Sequence, residues 1–146
     1  MNMKRRSLRG RIPENTAHRI ILDDGQYTHG YKIVEFYVWK EPTSTNNDVY
    51  GTLALQSSFA NIMDASDNLQ IAWASSYANG TASLAAPFSI IDPNHIVNRD
   101  LYVQTQVGGS GGSEEVNYLV IIEPIIMSEP QAVLQLIKER AQDDLR

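Results

Sequence analysis

The stretch YKIVEFYVW, residues 31–39, decides the fold class of this chain of 146 residues. β-Branched and aromatic residues dominate it, and such residues favour the pleated backbone of a β-strand. Successive side chains of a strand point to opposite faces of the sheet. The pattern gives two apolar faces, with Val34, Phe36 and Val38 on one and Tyr31, Ile33, Tyr37 and Trp39 on the other. Both faces are expected to be covered, which predicts a strand inside a packed β-sheet protein.

Strand patterns recur on both sides of this stretch, separated by turn residues. They cover residues 18–22, 49–56, 69–75, 88–91, 96–107 and 116–127, with one weaker strand between residues 74 and 86. No helical pattern lies between them, which excludes folds built from parallel strands and crossover helices.

The number and spacing of these patterns indicate about eight strands, as in sandwiches and barrels. We therefore predict an all-β domain over residues 16–127, an eight-stranded antiparallel β-sandwich. A single jelly roll is the preferred topology. An immunoglobulin-like order is the alternative, but its Cys-Trp-Cys landmark cannot occur in a chain with no cysteine.

The last part of the chain, residues 128–146, has the pattern of one amphipathic α-helix. Ser128 is a capping residue, Pro130 fits the first turn, and Gln131 follows Ser128 at the spacing of a capping box. Four residues recur at helical spacing and are called the apolar stripe below: Val133, Leu134, Ile137 and Ala141.

The apolar stripe must be buried on something, either its own β-domain or a neighbouring subunit. We predict that it covers its own domain, because an exposed stripe on a soluble monomer invites aggregation. Contact with a second subunit is the alternative.

The first eleven residues hold five basic side chains and no acidic one: Lys4, Arg5, Arg6, Arg9 and Arg11. The rest of the chain carries seven basic and seventeen acidic side chains, because the whole chain has twelve and seventeen. A basic segment on an acidic body can bind nucleic acid or the acidic surface of a neighbouring copy. Plain solvation is the third explanation. Residues 1–15 are predicted to form a flexible arm, so deleting residues 1–11 is expected to leave the body folded.

Few residues suggest chemistry. The absence of cysteine excludes thiolate catalysis and Cys-based zinc sites. The histidines His18, His29 and His95 have no spacing that places two imidazoles on one face of a strand or helix. We expect no catalytic residue, no metal and no cofactor, and therefore a protein that is not an enzyme. The apolar runs are also too short for a membrane span.

Aromatic residues are spread through the predicted strands. On one sheet face they would form a platform for a carbohydrate, whereas an ordinary β-sandwich core explains the same period-2 spacing. We prefer the core. The residues are Tyr31, Phe36, Tyr37, Trp39, Tyr50, Trp73, Tyr77, Phe88, Tyr102 and Tyr118.

Taken together, these features resemble small structural proteins of viruses and bacteriophages, in particular jelly-roll coat proteins. The resemblance is carried by the basic Lys4-Arg-Arg6, Arg9 and Arg11, the single sandwich, the Gly/Ser-rich tip at residues 108–113 and the segment from Val116 through residues 131–144. It implies a virion protein present in many copies. Its partners would be other copies, other virion proteins and, through the arm, packaged nucleic acid.

Two functions follow as hypotheses. The preferred one is a non-enzymatic virion structural protein, a coat or capsid-associated subunit that self-assembles around a packaged genome. The alternative is a soluble β-sandwich binding module with a carbohydrate as its expected ligand.

Overall fold

A computed structural model describes residues 4–41, 46–57, 61–79, 84–109 and 114–144. Within them lie eight β-strands and one α-helix. The elements are β1 (Arg6–Pro13), β2 (Ala17–Ile21), β3 (His29–Glu41), β4 (Asn46–Ala54), β5 (Gln70–Asn79), β6 (Leu84–Ile91), β7 (Asp100–Val107), β8 (Glu115–Ile126) and α1 (Glu129–Asp144).

The strands form two antiparallel sheets, which confirms the all-β prediction. A three-stranded sheet has the order β1-β8-β3, and a five-stranded sheet has the order β2-β7-β4-β5-β6. The inner faces of the two sheets share one sandwich-like core. Its fully buried side chains include Phe36, Val116, Val120 and Ile122 from the first sheet and Val49, Leu53, Leu101 and Val103 from the second.

A β-bulge in β3 corrects the predicted faces of residues 31–39. The pairing register with β8 shifts between Ile33 and Glu35, so one extra residue, Val34, is inserted. Such an insertion reverses the alternation of all later side chains. Tyr31 and Ile33 are therefore buried on the same side as Phe36, whereas the sequence pattern placed them on opposite faces.

The structure also corrects the flexible arm. Residues 6–13 form β1, which pairs antiparallel with β8 from Arg6 opposite Ile122 to Pro13 opposite Glu115. Ile12 is buried and Leu8 packs against the core. An edge strand needs apolar residues on one face alone, so two of them, separated by basic and small residues, are sufficient. Residues 1–3 lie outside the described residues.

Two other strand predictions change in their bounds. The strand predicted over residues 96–107 begins at Asp100, because Val97 leaves the five-stranded sheet and bonds to the other one. The amide of Tyr31 donates to the carbonyl of Val97 at 2.8 Å, and the amide of Val97 donates back at 2.9 Å. The weak strand expected between residues 74 and 86 and the one at residues 88–91 become extensions of β5 and β6.

The helix α1 begins where the sequence predicts. The amide of Gln131 donates to Oγ of Ser128 at 3.4 Å, and the amide of Ala132 donates to its carbonyl at 2.9 Å. The helix rests on the segment before β7, since Nε2 of Gln135 donates to the carbonyl of Ile96 at 2.7 Å.

Candidate functional site

The predicted orientation of the apolar stripe is wrong. Val133, Leu134 and Ile137 are 46%, 68% and 56% exposed, so they turn away from the β-domain. The side chain of Ala141 lies outside the described residues. Among the α1 side chains that the structure describes, the buried ones are Ala132, Gln135 and Glu139, which recur at the same helical spacing.

The reason is that the surface beneath α1 is polar. In the segment before β7, the carbonyl of Ile96 and the amide of Asn98 bond to no strand within the described residues. Buried backbone groups need hydrogen-bond partners. Gln135 donates to the carbonyl of Ile96, and Oε1 of Glu139 accepts from the amide of Asn98 at 3.4 Å. An apolar face on this surface would leave both groups unpaired.

Glu139 is unusual because it is 3% exposed and has incomplete hydrogen bonding. Its Oε2 has no hydrogen-bond partner among the described residues. Burial penalises the charged form and raises the pKa of Glu139 to about 7. Asp100 adds to the rise by repulsion, whereas the amide of Asn98 and the charge of Arg99 lower the pKa.

Asp100 faces Glu139 across a small cavity of about 30 Å³, also lined by Leu55, Arg99 and Tyr102. Oδ2 of Asp100 accepts from Arg19 at 2.8 Å, while its Oδ1 has no hydrogen-bond partner in the described part of the chain. Two buried carboxyl groups thus meet where the second half of α1 rests on β7. Two like charges cannot both be buried here at low cost, so the contact favours a protonated Glu139.

The five basic residues of the predicted arm now have definite places. Arg5 pairs with Glu123 at 4.0 Å and Arg11 pairs with Glu115 at 2.7 Å, both acids of β8. The guanidinium of Arg6 lies 5.7 Å from the ring centre of Tyr31. Lys4 and Arg9 are exposed, and neither has an ion pair within the described ranges. The charge available to an outside partner is therefore smaller than the sequence suggests.

An open groove of about 560 Å³ runs over the outer face of the three-stranded sheet. It is lined by Arg9 and Arg11, from the strand predicted as an arm, and by Trp39 of β3, because both strands pair with β8. Arg11 and Trp39 lie in one row of the sheet, on either side of Asn117. The groove can accept a planar or anionic group. Its lining residues are Arg9, Gly10, Arg11, Trp39, Asn117, Tyr118 and Leu119.

The outer face of the five-stranded sheet carries a second aromatic surface. Trp73 lies between Thr52 and Ile90 in the strand register, and Tyr50 lies between Gln106 and Ser75. Phe88 and Ile90 are exposed. Thr52 is buried, and its Oγ1 accepts from the amide of Met63 at 2.8 Å. We call the accessible part of this surface the aromatic platform, and its members are Tyr50, Trp73, Ser75, Tyr77, Phe88, Ile90, Tyr102, Gln104 and Gln106.

The preference for a core role of the aromatics is thus correct for part of the set. Tyr31, Phe36 and Tyr118 are buried in the core. Members of the aromatic platform point the other way, because they alternate with core residues such as Leu53 and Val103 along their strands. On the platform, the indole of Trp73 donates to Oε1 of Gln70 at 3.0 Å, which fixes the ring.

The histidines have structural contacts. Nδ1 of His29 lies 2.8 Å from Oδ2 of Asp24 in a turn. Nε2 of the buried His95 accepts from the amide of Ile33 at 2.8 Å, and its Nδ1 bonds to the carbonyl of Asp92. Burial lowers the pKa of His95, so the ring is neutral at pH 7 and ties the turn before β7 to β3.

Within the described residues, no three side chains of His, Cys, Asp or Glu lie close enough to hold a metal ion. In the same residues, no helix has the length and apolar character that a bilayer crossing requires.

Sequence reasoning missed Glu139 and Gln135. The available signal was weak, since Ala132, Gln135 and Glu139 have the same helical spacing as the apolar stripe. Periodicity shows that a helix has two faces. It does not show which face the body will bind when that body presents unpaired backbone groups.

No protein-family model matches this chain, and no curated protein sequence matches it.

Proposed function

We propose that this chain is a non-enzymatic structural subunit of a virion, a jelly-roll coat or capsid-associated protein that assembles in many copies around a packaged genome. The observation that carries the proposal is the order of neighbouring strands, taken together with an outward apolar stripe.

A jelly roll is an antiparallel ribbon of eight strands, rolled so that strand 1 lies beside 8, 2 beside 7, 3 beside 6 and 4 beside 5. Here β1 pairs with β8, β2 with β7, and β4 with β5. The remaining two, β3 and β6, lie against each other, although the hydrogen bonds of β6 go to β5. These neighbours support a single jelly roll.

The alternative topology has less support. An immunoglobulin-like domain places its first two strands side by side in one sheet. Here β1 and β2 lie in different sheets. The turn between them crosses from one sheet to the other, with the amide of Glu14 bonded to Glu114 and that of Asn15 bonded to Thr105.

Fold alone does not determine function, and jelly rolls also occur in lectins and enzymes. The second support is the surface. Monomeric proteins seldom leave a contiguous apolar patch in water without a partner for it. The exposed Val133, Leu134 and Ile137 form such a patch, and a subunit that works by self-association explains it.

Electron microscopy combined with sedimentation velocity tests this function. The purified chain is expected to form rings, shells or other regular assemblies as its concentration rises, with and without added nucleic acid. A protein that stays monomeric at all concentrations, and that does not join particles when other virion proteins are present, would contradict the proposal.

The aromatic platform favours one second candidate, a carbohydrate-binding module. Trp73, Tyr50 and Phe88 supply rings for stacking, and Gln104 and Gln106 supply amide groups beside them. Affinity electrophoresis in gels containing neutral polysaccharides tests it. Retardation that Tyr50→Ala abolishes and Tyr37→Ala, on the other sheet, preserves would support a sugar site. Equal mobility in all gels would reject it.

A further inference from the structure

We propose that the outward face of α1 binds a second copy of this chain, with the two α1 helices packed antiparallel across a two-fold axis. This inference rests on the proposed function and names the partner and the contact through which self-association begins.

The first argument is the inverted orientation of α1. A helix whose sole role was to cover its own β-domain would turn its apolar side chains inward. This helix buries Gln135 and Glu139 and leaves Leu134 and Ile137 in solvent. Gln135 and Glu139 bond the helix to the segment before β7, so its apolar face points away from the β-domain.

The second argument is the shape of the exposed face. The exposed Leu134 and Ile137 are three residues apart, and the sequence has an alanine four residues further on, which is the spacing of a helix seam in a coiled coil. Val133 widens the seam by one residue. Such a narrow stripe fits against the side of another helix better than it fits against the flat face of a sheet.

The third argument is charge complementarity between two copies. An axis placed midway between Val133 and Ile137 sets Val133 of one copy against the partner's Ile137. In that alignment Glu129 lies within one turn of the partner's position 140, which is an arginine in the sequence. A parallel pair would place like charges together. Antiparallel packing therefore joins the apolar contact with opposite charges.

The size of the contact predicts its strength. Two facing helices of about four turns bury less than the roughly 1,200 Å² of a stable specific interface. The dimer is therefore expected to be weak and to depend on concentration. Many weak contacts of this kind suit a subunit that assembles in many copies.

Sedimentation velocity of the full chain tests the contact. Ile137→Asp is expected to weaken dimerisation at least about tenfold, because it places a charge in the seam. Ile90→Asp is the matched control, since Ile90 is also an exposed isoleucine but lies on the five-stranded sheet. Both variants should melt like the parent. Dimerisation that Ile137→Asp leaves unchanged, or that Ile90→Asp weakens equally, would overturn the proposal.

A disulfide trap gives an independent measurement, because the chain has no cysteine of its own. Leu134 lies close to the proposed axis, so Leu134→Cys is expected to form a disulfide dimer under mild oxidation. Phe88→Cys should stay monomeric under the same conditions. Equal crosslinking of the two variants, or none of Leu134→Cys, would contradict the helix pair.

These outcomes separate the two proposals. If the parent protein dimerises through α1 but never forms larger assemblies, the interface is supported and the coat function is contradicted. If the parent forms regular assemblies, Ile137→Asp does not affect them and Leu134→Cys forms no crosslink, the coat function is supported and the interface is contradicted.

Discussion

Glu139 joins the helix to the β-domain through a carboxyl group that water barely reaches. The groups that face it are the amide of Asn98, Arg99, Asp100 and Tyr102, and Arg19 neutralises Asp100 from β2. With an adjacent carboxylate and one oxygen without a hydrogen-bond partner, the neutral acid is the form that fits this position.

This position predicts a dependence of stability on pH. The pKa of Glu139 is raised from 4.5 to about 7, so folding favours its protonated form. Its contribution to the free energy of unfolding is present below pH 4.5 and is lost as the pH rises through about 7. Glu139→Gln removes the titration and is expected to stabilise the protein by about 1–3 kcal/mol at pH 8, and by much less at pH 4.5.

Urea unfolding of both proteins at the two pH values measures this difference. Glu129→Gln is the control, because Glu129 is exposed in the first turn of the same helix. If Glu139→Gln and the parent differ equally at both pH values, the protonated form of Glu139 is not the one that the fold favours.

Arg9 and Arg11 allow a test of nucleic-acid contact at single residues. Arg11 already pairs with Glu115 at 2.7 Å, whereas Arg9 has no ion pair within the described ranges. Arg9→Ala is therefore expected to reduce the slope of log affinity against log salt for single-stranded nucleic acid by about 0.7, the value for one phosphate contact. Arg11→Ala should change it less. Fluorescence anisotropy over a salt series measures both, and equal slopes for all three proteins would remove Arg9 from the contact.

Gly51 shows how closely the two sheets approach. A Cβ at this position would lie 2.5 Å from Cγ1 of Val38, inside the core. Gly51→Ala is expected to cost about 1–3 kcal/mol, the range for overpacking a core. Gly108→Ala is the control, since its Cβ would have neighbours no nearer than 3.5 Å. Denaturant unfolding compares them, and a neutral Gly51→Ala would mean that the sheets can separate at little cost.

At the scale of elements, β1 is the strand whose role changed most between sequence and structure. Its pairing with β8 and its buried Ile12 make it part of the sheet. Deleting residues 1–13 is expected to lower the melting temperature by roughly 10 °C, because it exposes the edge of β8 and opens the core. Deleting residues 1–5 should leave it unchanged. Equal melting temperatures of the two truncated chains would support the flexible arm predicted from the sequence.

The elements also show which sequence signals are reliable. Alternation identified most strands, since Val49, Leu53, Leu101 and Val103 are buried as the period requires. It failed at β3, where the bulge at Val34 reverses the period without any change in composition.

The sequence patterns also misled at β1 and α1, for two different reasons. The charge of five basic residues hid the alternation of Leu8 and Ile12. In α1 the sequence offered two partners for the apolar face, its own β-domain and a neighbouring subunit, and we preferred the first. The polar face of α1 is the inner one because its side chains bond to backbone groups of the segment before β7.

At the scale of the whole molecule, net charge opposes self-association. Each copy carries a formal charge of −5, so copies repel one another at low ionic strength. Salt screens this repulsion over about 10 Å at 0.1 M, while an apolar helix contact is unaffected. Dimerisation is therefore expected to strengthen several-fold between about 0.05 and 0.5 M salt, as measured by sedimentation. Weakening instead would indicate that attraction between opposite charges outweighs this repulsion, either between the two α1 helices or between basic β1 side chains of one copy and acidic groups of another.

The pairing of the first strand with the last has a consequence for synthesis on the ribosome. β1 is made before β2 to β7, whereas its partner β8 is made only after them, so the three-stranded sheet cannot form until all of these strands have been synthesised. Until then β1 is an unpaired edge strand, the kind of segment that aggregates when it is apolar. The basic side chains between Leu8 and Ile12 keep β1 hydrated until it pairs with β8. Its composition therefore suits the interval before folding as well as the folded state.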